Sequence, residues 1–488
     1  MAVDTLTTSV SDSVRELLAP TVEVMGHDIS AIWRKLVTTN RGVGMDMVGR
    51  DWKVKKVFRT GLAGAFGFEQ LGAKAMLTDN TVTQFGVYGD NAITVFQGLD
   101  ESTTPGYVQS TITLVQGKGI VHVPLTLKRA AALGAMIGEP LQAVIEGTAN
   151  RVAQTRVNAF LAEDGSGLIG TFTVGGSDIT INGDGDTVTL DSGQSAIQRF
   201  EDGQTIDLFR SSDDVKMNTG GPVFVGRVNP LGNDFQLFQF SGSTTLATTI
   251  QYDLVVRSAG RTSGSATASD LPTALSSLVV ATGTLFGIDL DKYPKRRGYV
   301  VSNAGAAMDE PTLFKIAARN RHGSAHPDTI DTYVASEGVW AAYVENQDVL
   351  YTAERNGSLV NVNDGVNEAM FFNSYGRRYE LLADNYITDG TIYGIKTRDQ
   401  NFKIYVPPAL PGAQSLGMFD GGVEFIGNLL GWSDIFGGAK ATGGTSDDGK
   451  TTDMLEAPFL LPYQIAPDIW GGQKITNVLT AYSALQGL

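Results

Sequence analysis

The stretch from Gly61 to Pro124 reads GLAGAFGFEQLGAKAMLTDNTVTQFGVYGDNAITVFQGLDESTTPGYVQSTITLVQGKGIVHVP, and it decides what kind of fold the chain can have. Four short alternating runs in it predict strands separated by turns. They are Thr81–Tyr88, Ile93–Phe96, Tyr107–Val115 and Ile120–Val123. A few strands with little apolar surface are marginal in water unless they pack on something else. We therefore expect this stretch to lie on another molecule, which favours an assembly subunit over an enzyme.

The composition is that of a folded protein with more than one domain. The chain has 488 residues, of which 42% are hydrophobic and 18% charged, so two or three domains are expected. It has no cysteine, which excludes disulfides, zinc–thiolate sites and thiol nucleophiles. Neither a signal peptide nor a membrane span is expected, because no basic start precedes an apolar run and no apolar run approaches ~18 residues.

The charge is distributed unevenly along the chain. A net charge of −15 argues against a dedicated nucleic-acid binder. Residues 34–59 nevertheless carry eight basic side chains against two acidic ones, a net charge of +6, which leaves −21 for the remainder. The basic residues are Arg34, Lys35, Arg41, Arg50, Lys53, Lys55, Lys56 and Arg59, and the acidic ones are Asp46 and Asp51. This segment is either a solvated strand face or a basic arm that docks on an acidic neighbouring subunit, with contact to nucleic acid less favoured.

Residues 1–60 are predicted to form an arm that precedes the extended stretch. Its expected elements are the helices Ser11–Ala19 and Asp28–Val37 and the strand Asp51–Phe58. A helical pattern then covers Leu125–Ala162, and Pro140 suits the first turn of its second half. Apolar residues recur at helical spacing in that half and predict one buried face. They are Leu141, Val144, Ile145, Val152, Val157, Phe160 and Leu161.

From Gly167 to Gly260 the pattern changes to short strands between turns rich in Gly, Asp, Ser and Asn. The predicted strands are Thr171–Val174, Asp178–Ile181, Thr187–Leu190, Gln204–Phe209, Val223–Val228, Phe235–Phe240 and Tyr252–Arg257. Six or seven strands at this spacing predict a small closed barrel or sandwich. The composition of Gly260–Asp270 is typical of a linker, so the barrel is expected to be an insertion.

Beyond Leu271 helical and strand patterns mix, which gives an α+β class for the whole chain. The predicted helices are Leu271–Leu285, Glu310–Asn320 and Asp328–Glu345, and the predicted strands are Met370–Phe372, Tyr386–Lys396 and Phe402–Val406. The last eighty residues or so are irregular, with a glycine-rich loop at Gly437–Gly449.

Two phosphate-binding patterns occur in the wrong surroundings. Gly444–Thr451 matches G-x-x-x-x-G-K-[ST], but no strand precedes it, and Asp447 and Asp448 place negative charge where phosphates would sit. Gly165–Gly170 matches G-x-G-x-x-G, but a helix precedes it and a strand follows, the reverse of a dinucleotide site. We interpret the first as a surface loop and the second as a turn that ends a helix.

Two groups of residues could ligate a metal. His322 and His326 are four residues apart, but Gly323 and Pro327 make a helix unfavourable there, so they are interpreted as loop histidines. The second group is Asp178, Asn182, Asp184 and Asp186. It resembles a calcium loop but lacks the required glutamate, so a β-turn is favoured over a weak calcium site. No catalytic, cofactor-binding or metal site is assigned from the sequence.

The order of these parts resembles the major capsid proteins of tailed double-stranded DNA bacteriophages, whose fold is named after the Hong Kong phage 97 capsid. Several stretches are similar to that family as they stand. They are Gly49–Val54, Gly61–Ala65, Pro140–Phe160, His326–Tyr343, Arg378–Asp384 and Ile387–Tyr393. The resemblance covers roughly Arg41 to Val406, and it rests on the order and character of segments because the family has no short invariant signature.

The resemblance implies a division of the chain into the parts of that fold. They are an N-terminal arm (1–60), an extended loop (61–124), the spine helix and start of the peripheral domain (125–166), an inserted β-barrel domain (167–262), an axial domain (263–370), the return strands of the peripheral domain (371–406) and a C-terminal segment (407–488). The extended loop would lie across a neighbouring subunit. The C-terminal segment matches no part of the family.

The resemblance also implies a structural function without catalysis or cofactors. Copies of the chain would self-assemble as hexamers and pentamers into an icosahedral shell that encloses the phage genome, in a virion capsid made in the bacterial cytoplasm. Implied partners are other copies, a portal and a decoration protein, with non-specific contact to packaged DNA and no membrane. A separate scaffolding protein is expected because no long charged helical propeptide precedes the arm. The alternatives are an encapsulin-like bacterial shell protein and, resting only on the barrel and the acidic surface, a β-rich hydrolase.

Overall fold

The structure is a computed structural model, and it describes a defined set of residues. These are 30–37, 41–42, 46–48, 51–59, 107–124, 138–162, 165–191, 197–229, 233–257, 271–293, 296–308, 312, 330–343, 369–374, 377–397, 402–405, 424–425, 454–467 and 471–481. The predicted elements Ser11–Ala19, Thr81–Tyr88 and Ile93–Phe96, the loop Gly437–Gly449 and almost all of Glu310–Asn320 lie outside them. Within the described ranges, no helix is long and apolar enough to cross a membrane.

The described part of the chain has runs of strands separated by a few helices, which confirms the predicted α+β class. The helices are Ala31–Val37 (the arm helix), Gly138–Leu161 (the long helix) and the single turn Leu275–Leu278, and residues 337–343 are also helical. The strands, in chain order, are β1 Arg41–Gly42, β2 Asp46–Val48, β3 Asp51–Arg59, β4 Tyr107–Thr113, β5 Val115–Pro124, β6 Leu168–Thr173, β7 Ile179–Ile181, β8 Asp186–Thr189, β9 Thr205–Arg210, β10 Val223–Asn229, β11 Asp234–Phe238, β12 Thr244–Leu246, β13 Gln251–Val256, β14 Thr284–Leu285, β15 Ile288–Asp289, β16 Tyr299–Ser302, β17 Thr332–Ala335, β18 Ala369–Ser374, β19 Arg377–Ala383, β20 Ile392–Ile395, β21 Phe402–Tyr405, β22 Glu424–Phe425, β23 Met454–Pro467 and β24 Gln473–Thr476.

The long helix has the proline and the buried face that its sequence predicts. Pro140 lies in the first turn of the helix, where its missing N–H costs no hydrogen bond. Val157, Phe160 and Leu161 are buried. The turn after the helix contains Gly165 with a φ of +68°, and a Cβ there would overlap Oγ of Ser277. The helix-ending turn predicted at this glycine is therefore present, and a larger residue would not fit it.

Strands β6 to β13 form a barrel-like unit with its own core. Six of them make one antiparallel sheet in the order β6-β13-β9-β10-β11-β8, and β7 pairs with β12 beside it. Every strand predicted in this region is present, and Thr244–Leu246 is an additional one. The sheet closes through Asp191, whose N–H donates to the Thr171 carbonyl at 2.8 Å and whose Oδ1 accepts from the Thr173 N–H at 3.1 Å.

A second, mixed sheet has the strand order β16-β24-β20-β17-β19-β18. Its parallel pairs are β16 with β24 and β17 with β19, and its other neighbours are antiparallel. The inner strands β17 and β20 are buried along their whole length. Tyr333, Leu381, Ile392 and Ile475 belong to the core on this sheet.

Two predicted helices are present only in part. The first, Asp328–Glu345, is helical at residues 337–343 but begins with strand β17. The four buried residues of β17 do not alternate in polarity because both faces of the sheet are covered. The second, Leu271–Leu285, is helical only at Leu275–Leu278 and then enters the β14–β15 hairpin. Phe286 and Gly287 turn that hairpin with φ values of +48° and +81°, a conformation that ends any helical pattern.

Candidate assembly surfaces

Strands β3 and β4 form an antiparallel ribbon, which we call the ribbon. Their pairing runs from Lys53 opposite Thr113 to Arg59 opposite Tyr107. On its other edge β3 pairs with β2, but only up to Lys53. Beyond Lys53, β4 is the one strand partner of β3 in the part of the chain that the structure describes. The ribbon is therefore two strands wide over most of its length, and residues 60–106 connect its far ends.

The end of the ribbon at residues 111–113 of β4, which we call its root, is fixed to the rest of the molecule. Ile112 is fully buried and packs in one cluster with Tyr405 and Ala466. The N–H of Thr111 donates to the carbonyl of Phe286 at 2.9 Å. Gln109, two residues further along β4, is exposed. Among the described side chains of β4, burial thus ends at Ser110, and the paired strands continue past it to Arg59 and Tyr107.

The C-terminal segment, which the sequence left without a place, supplies two central strands. Strand β23 is 14 residues long and pairs with all of β5, from Val115 opposite Tyr463 to Pro124 opposite Met454. Strand β24 lies inside the mixed sheet, between β16 and β20. The strand predicted at Ile120–Val123 is therefore part of the long antiparallel ladder between β5 and β23 rather than of a free loop.

The arm helix is docked on the body by both apolar and polar contacts. Ile32, Trp33 and Leu36 are at most 2% exposed. The Trp33 ring meets Phe160 of the long helix edge to face, with centroids 5.8 Å apart. Lys35 forms an ion pair with Glu380 of β19.

One guanidinium group connects the arm helix, the long helix and β23. Arg156 lies 5.3 Å from the centroid of Trp33 and 4.4 Å from that of Tyr463. A guanidinium between two aromatic faces makes favourable cation–π contacts, which strengthen as the site loses water. Burial raises the pKa of the Tyr463 hydroxyl, while the charge of Arg156 and its hydrogen bond oppose that rise. The tyrosine therefore stays neutral beside the cation.

Asp384 is a buried carboxyl group at the start of the arm helix. Its Oδ2 accepts from the Ser30 hydroxyl at 2.5 Å and from the Ile32 N–H at 3.1 Å, and its Oδ1 accepts from the Tyr386 N–H at 2.9 Å. Ser30 also accepts from the Trp33 N–H at 3.2 Å, so it caps the helix. Burial raises the pKa of Asp384, while these hydrogen bonds and the nearby charge of Arg199 oppose the rise.

Arg199 and Glu337 extend this buried polar junction to the barrel and the mixed sheet. The Arg199 carbonyl accepts from Gln154 at 3.3 Å and Asn158 at 3.1 Å on the long helix, and its Nη1 donates to the carbonyl of Ile169 in β6 at 3.3 Å. Burial raises the pKa of Glu337, which follows β17. Arm, long helix, barrel and mixed sheet thus meet at one junction, whose geometry can hold the parts in register.

The residues that the sequence considered as calcium ligands make local turn and strand contacts. Oδ1 of Asp178 accepts from the Thr248 N–H at 2.7 Å, and Oδ1 of Asn182 accepts from the Asp184 N–H at 2.8 Å, as in an Asx turn. Asp186 belongs to strand β8. Among the described residues, no three acidic or histidine side chains are grouped to hold a metal ion. The geometry supports the turn interpretation of this group.

The remaining sequence motifs fall in two classes. Gly165 and Gly167 have positive φ values and join the long helix to β6, which is the helix–turn–strand order expected from the sequence. His322, His326 and the Gly444–Thr451 pattern lie outside the described residues.

Sequence reasoning missed the residues of the buried junction. Ser30 and Asp384 are 354 residues apart in the chain, so no local pattern connects them. The one available signal was an acidic residue placed directly after the buried strand β19. Arg156 gave a similar signal, since it lies on the same helix face as Val152 and Phe160, four residues from each, and is the charged residue between them.

No protein-family model matches the chain, and no curated protein sequence matches it either. Among solved structures, the chain is similar to the cyanophage A-1(L) capsid asymmetric unit, with 9% sequence identity, a TM-score of 0.43, and coverage of 92% of this chain and 93% of that one. It is also similar to the capsid of the native GTA particle, with 9% identity, a TM-score of 0.39, and coverage of 94% and 91%. A third similar structure comes from Mycobacterium phage Patience, with 10% identity, a TM-score of 0.33, and coverage of 97% and 87%.

Proposed function

We propose that this chain is the major capsid protein of a tailed double-stranded DNA bacteriophage. Its copies assemble as hexamers and pentamers into an icosahedral shell around the genome, and its role is structural rather than catalytic. The observation that carries the proposal is the ribbon, which is fixed at its root and continues as two paired strands past Ser110, where the described burial of β4 ends.

A two-stranded ribbon is a poor structure for an isolated molecule. Two strands alone are marginally stable in water, and their outer edges present unpaired backbone groups. A neighbouring copy provides the surface that such a ribbon needs. Because the root is held by Ile112 and by the Thr111–Phe286 hydrogen bond, the ribbon leaves every copy in the same direction, as a regular lattice requires.

The docked arm and the buried junction support the same function. A shell subunit must be rigid, so that its contact surfaces keep fixed positions relative to one another. The Arg156 and Asp384 contacts connect the arm helix to the long helix, to β23 and to the mixed sheet. A scaffolding protein, a portal and a decoration protein are the partners that such a shell would have.

Replacing residues 60–106 by Asn-Gly tests the proposal. Arg59 and Tyr107 are direct antiparallel partners, so a two-residue hairpin turn can join them. A deletion that reached Gly117 would also remove buried Ile112, so the cut is kept outside β4. We expect a folded, soluble subunit that forms no closed shells in electron micrographs, whereas the unaltered chain forms shells of uniform size.

The control changes an exposed apolar residue away from the ribbon. Val215 is 47% exposed on the barrel, and Val215→Ser should leave shells unchanged. Shells of normal size and heat resistance from the Asn-Gly variant would contradict the role of the ribbon. Uniform small particles from the unaltered chain would contradict the capsid function itself.

A further inference from the structure

An exposed group of three phenylalanines, which we call the aromatic patch, lies on the outer face of the barrel. Phe224 of β10 and Phe238 of β11 are paired residues, and Phe240 follows two positions later. The Phe240 ring lies 5.4 Å from that of Phe224 and 6.3 Å from that of Phe238, stacked on the latter at an interplanar angle of 12°. Phe240 is 72% exposed, more than any other large hydrophobic residue in the described part of the chain.

Two glycines beneath the patch hold one of its rings flat against the sheet. A Cβ at Gly185, whose φ is +82°, would overlap the Phe238 ring, and a Cβ at Gly226 would lie 2.7 Å from its Cε2 atom. The ring is therefore seated before any partner arrives. A preorganised aromatic surface loses little conformational entropy on binding.

The charge around the patch selects the kind of partner. Residues 168–256 contain eleven acidic side chains and four basic ones, a net charge of −7. Asp184 and Asp186 directly flank Gly185 under the patch, and Asp184 is exposed. A second barrel would meet this surface with like charge. The complementary part of the chain is residues 34–59 at +6, of which β3 alone contributes four basic residues and one acidic one.

The size of the patch limits where the contact can form. Aromatic side chains bury roughly 150–250 Å² each, and two of these three are already half-buried, which leaves a surface well short of the ~800 Å² per partner of a stable complex. A contact of this size is too small to bind a free partner stably by itself. It becomes effective between copies that other contacts already keep together.

We infer that the aromatic patch binds the basic strand β3 of a second copy of this chain. Lysine and arginine side chains of β3 pack over the phenylalanine rings and face Asp184 and Asp186. The barrel already contains this chemistry, since Nζ of Lys216 lies 6.0 Å from the centroid of Phe209. The inference rests on the proposed assembly, and it adds a partner surface for the basic segment.

Photo-crosslinking of the full chain tests this contact. A benzophenone amino acid replaces Phe240 in an equal mixture of unlabelled and ¹⁵N-labelled protein, and cross-linked peptides are identified by mass spectrometry. We expect a cross-link from position 240 to a peptide of residues 51–59 with mixed isotope labels. It should weaken several-fold at high salt and be lost when Lys53→Glu and Lys55→Glu are combined. The same reagent at exposed Val215 is the control and should not give this peptide.

Micrographs of the same samples separate this inference from the proposed function. Shells without the mixed 240-to-β3 cross-link, or with cross-links only within one copy or to another barrel, overturn the inference and leave the capsid function standing. The mixed cross-link without shells supports the contact and contradicts the capsid function. If the samples contain no shells and give no mixed cross-link, the inference and the capsid function are both contradicted.

Discussion

The barrel and the ribbon are both antiparallel β structure, yet they are stabilised in different ways. The barrel strands surround a core of nineteen buried residues, eighteen of them its own and one, Ala159, from the long helix. The cluster at the root of the ribbon has three buried members in the described residues, Ile112, Tyr405 and Ala466, and only the first belongs to the ribbon. The same backbone pairing thus serves a self-contained unit in one region and a structure that depends on its surroundings in the other.

The difference indicates which part of the chain has a core of its own and which part we propose to act in assembly. Burial of apolar surface is the main favourable term in folding, and the size of the barrel core leads us to expect that the barrel folds without help. The ribbon has hydrogen bonds between its strands, and few of its described side chains are buried at its root. We therefore propose that contacts beyond the single subunit stabilise the ribbon.

Separate fragments of the barrel and of the ribbon test the difference between them most directly. Residues 165–257 are expected to fold alone, with a β-type circular dichroism spectrum and a cooperative thermal melt. Residues 46–59 joined through Asn-Gly to 107–124 are expected to show no cooperative melt, because the partners of β5 and of Ile112 are missing. A disordered barrel fragment would show that its core is shared with the long helix beyond Ala159. A cooperatively folded ribbon fragment would remove the reason for proposing an intermolecular contact.

Two phenylalanines of the barrel allow a sharper test at the level of single residues. Phe235 is fully buried and stacks on Phe200 with centroids 4.8 Å apart. Phe235→Ala in the full chain should lower the free energy of unfolding of the barrel by about 3–5 kcal/mol, measured from its denaturant midpoint. Phe240→Ala is the matched control, since that ring is 72% exposed, and it should change stability by less than about 0.5 kcal/mol. Equal effects would mean that the aromatic patch is part of the core rather than a surface.

The barrel was predictable from the sequence because its strands alternate locally. Val223, Val225 and Phe235, Leu237 all point into the core as the two-residue period requires. Long-range partners were not predictable. Strand β23 contains Pro458 within a ladder, a residue that argues against a central strand. The longest strand in the described part of the chain was therefore not predicted.

The polar junction was missed for a related physical reason. A helix cap is usually read from the residues beside it, and Ser30 does fit that pattern. The second acceptor at the same helix start is Asp384, which arrives from the other end of the chain. Burial and tertiary contact, rather than any local motif, give that carboxyl group its role.

The smallest expected effect concerns the Asp384 carboxyl group, which adds hydrogen bonds to the apolar contacts of the arm helix. In Asp384→Asn, one of the two side-chain oxygens becomes an NH₂ group. Either orientation then turns a donor toward the N–H of Tyr386 or toward the donors from Ser30 and Ile32. A buried donor without an acceptor costs about 1–3 kcal/mol, so the free energy of unfolding, measured from the denaturant midpoint, should fall by that amount. Asp213→Asn is the control, because its pair with Arg210 is 43% and 33% exposed and contributes little.

The pH dependence of that loss follows from the direction of the pKa shift. Burial raises the pKa of Asp384 in the folded chain above its ordinary value of 3.8. The folded state therefore binds the proton more tightly than the unfolded state, and stability falls as pH rises from 3.8 through the raised pKa. Asparagine does not titrate, whereas the other acidic groups are common to both proteins. The stability gap between the unaltered chain and Asp384→Asn should thus be widest in acid and should narrow as pH rises above the ordinary carboxyl pKa of 3.8. A gap that widened with pH would show that the hydrogen bonds and Arg199 outweigh burial and hold the carboxylate in its charged form.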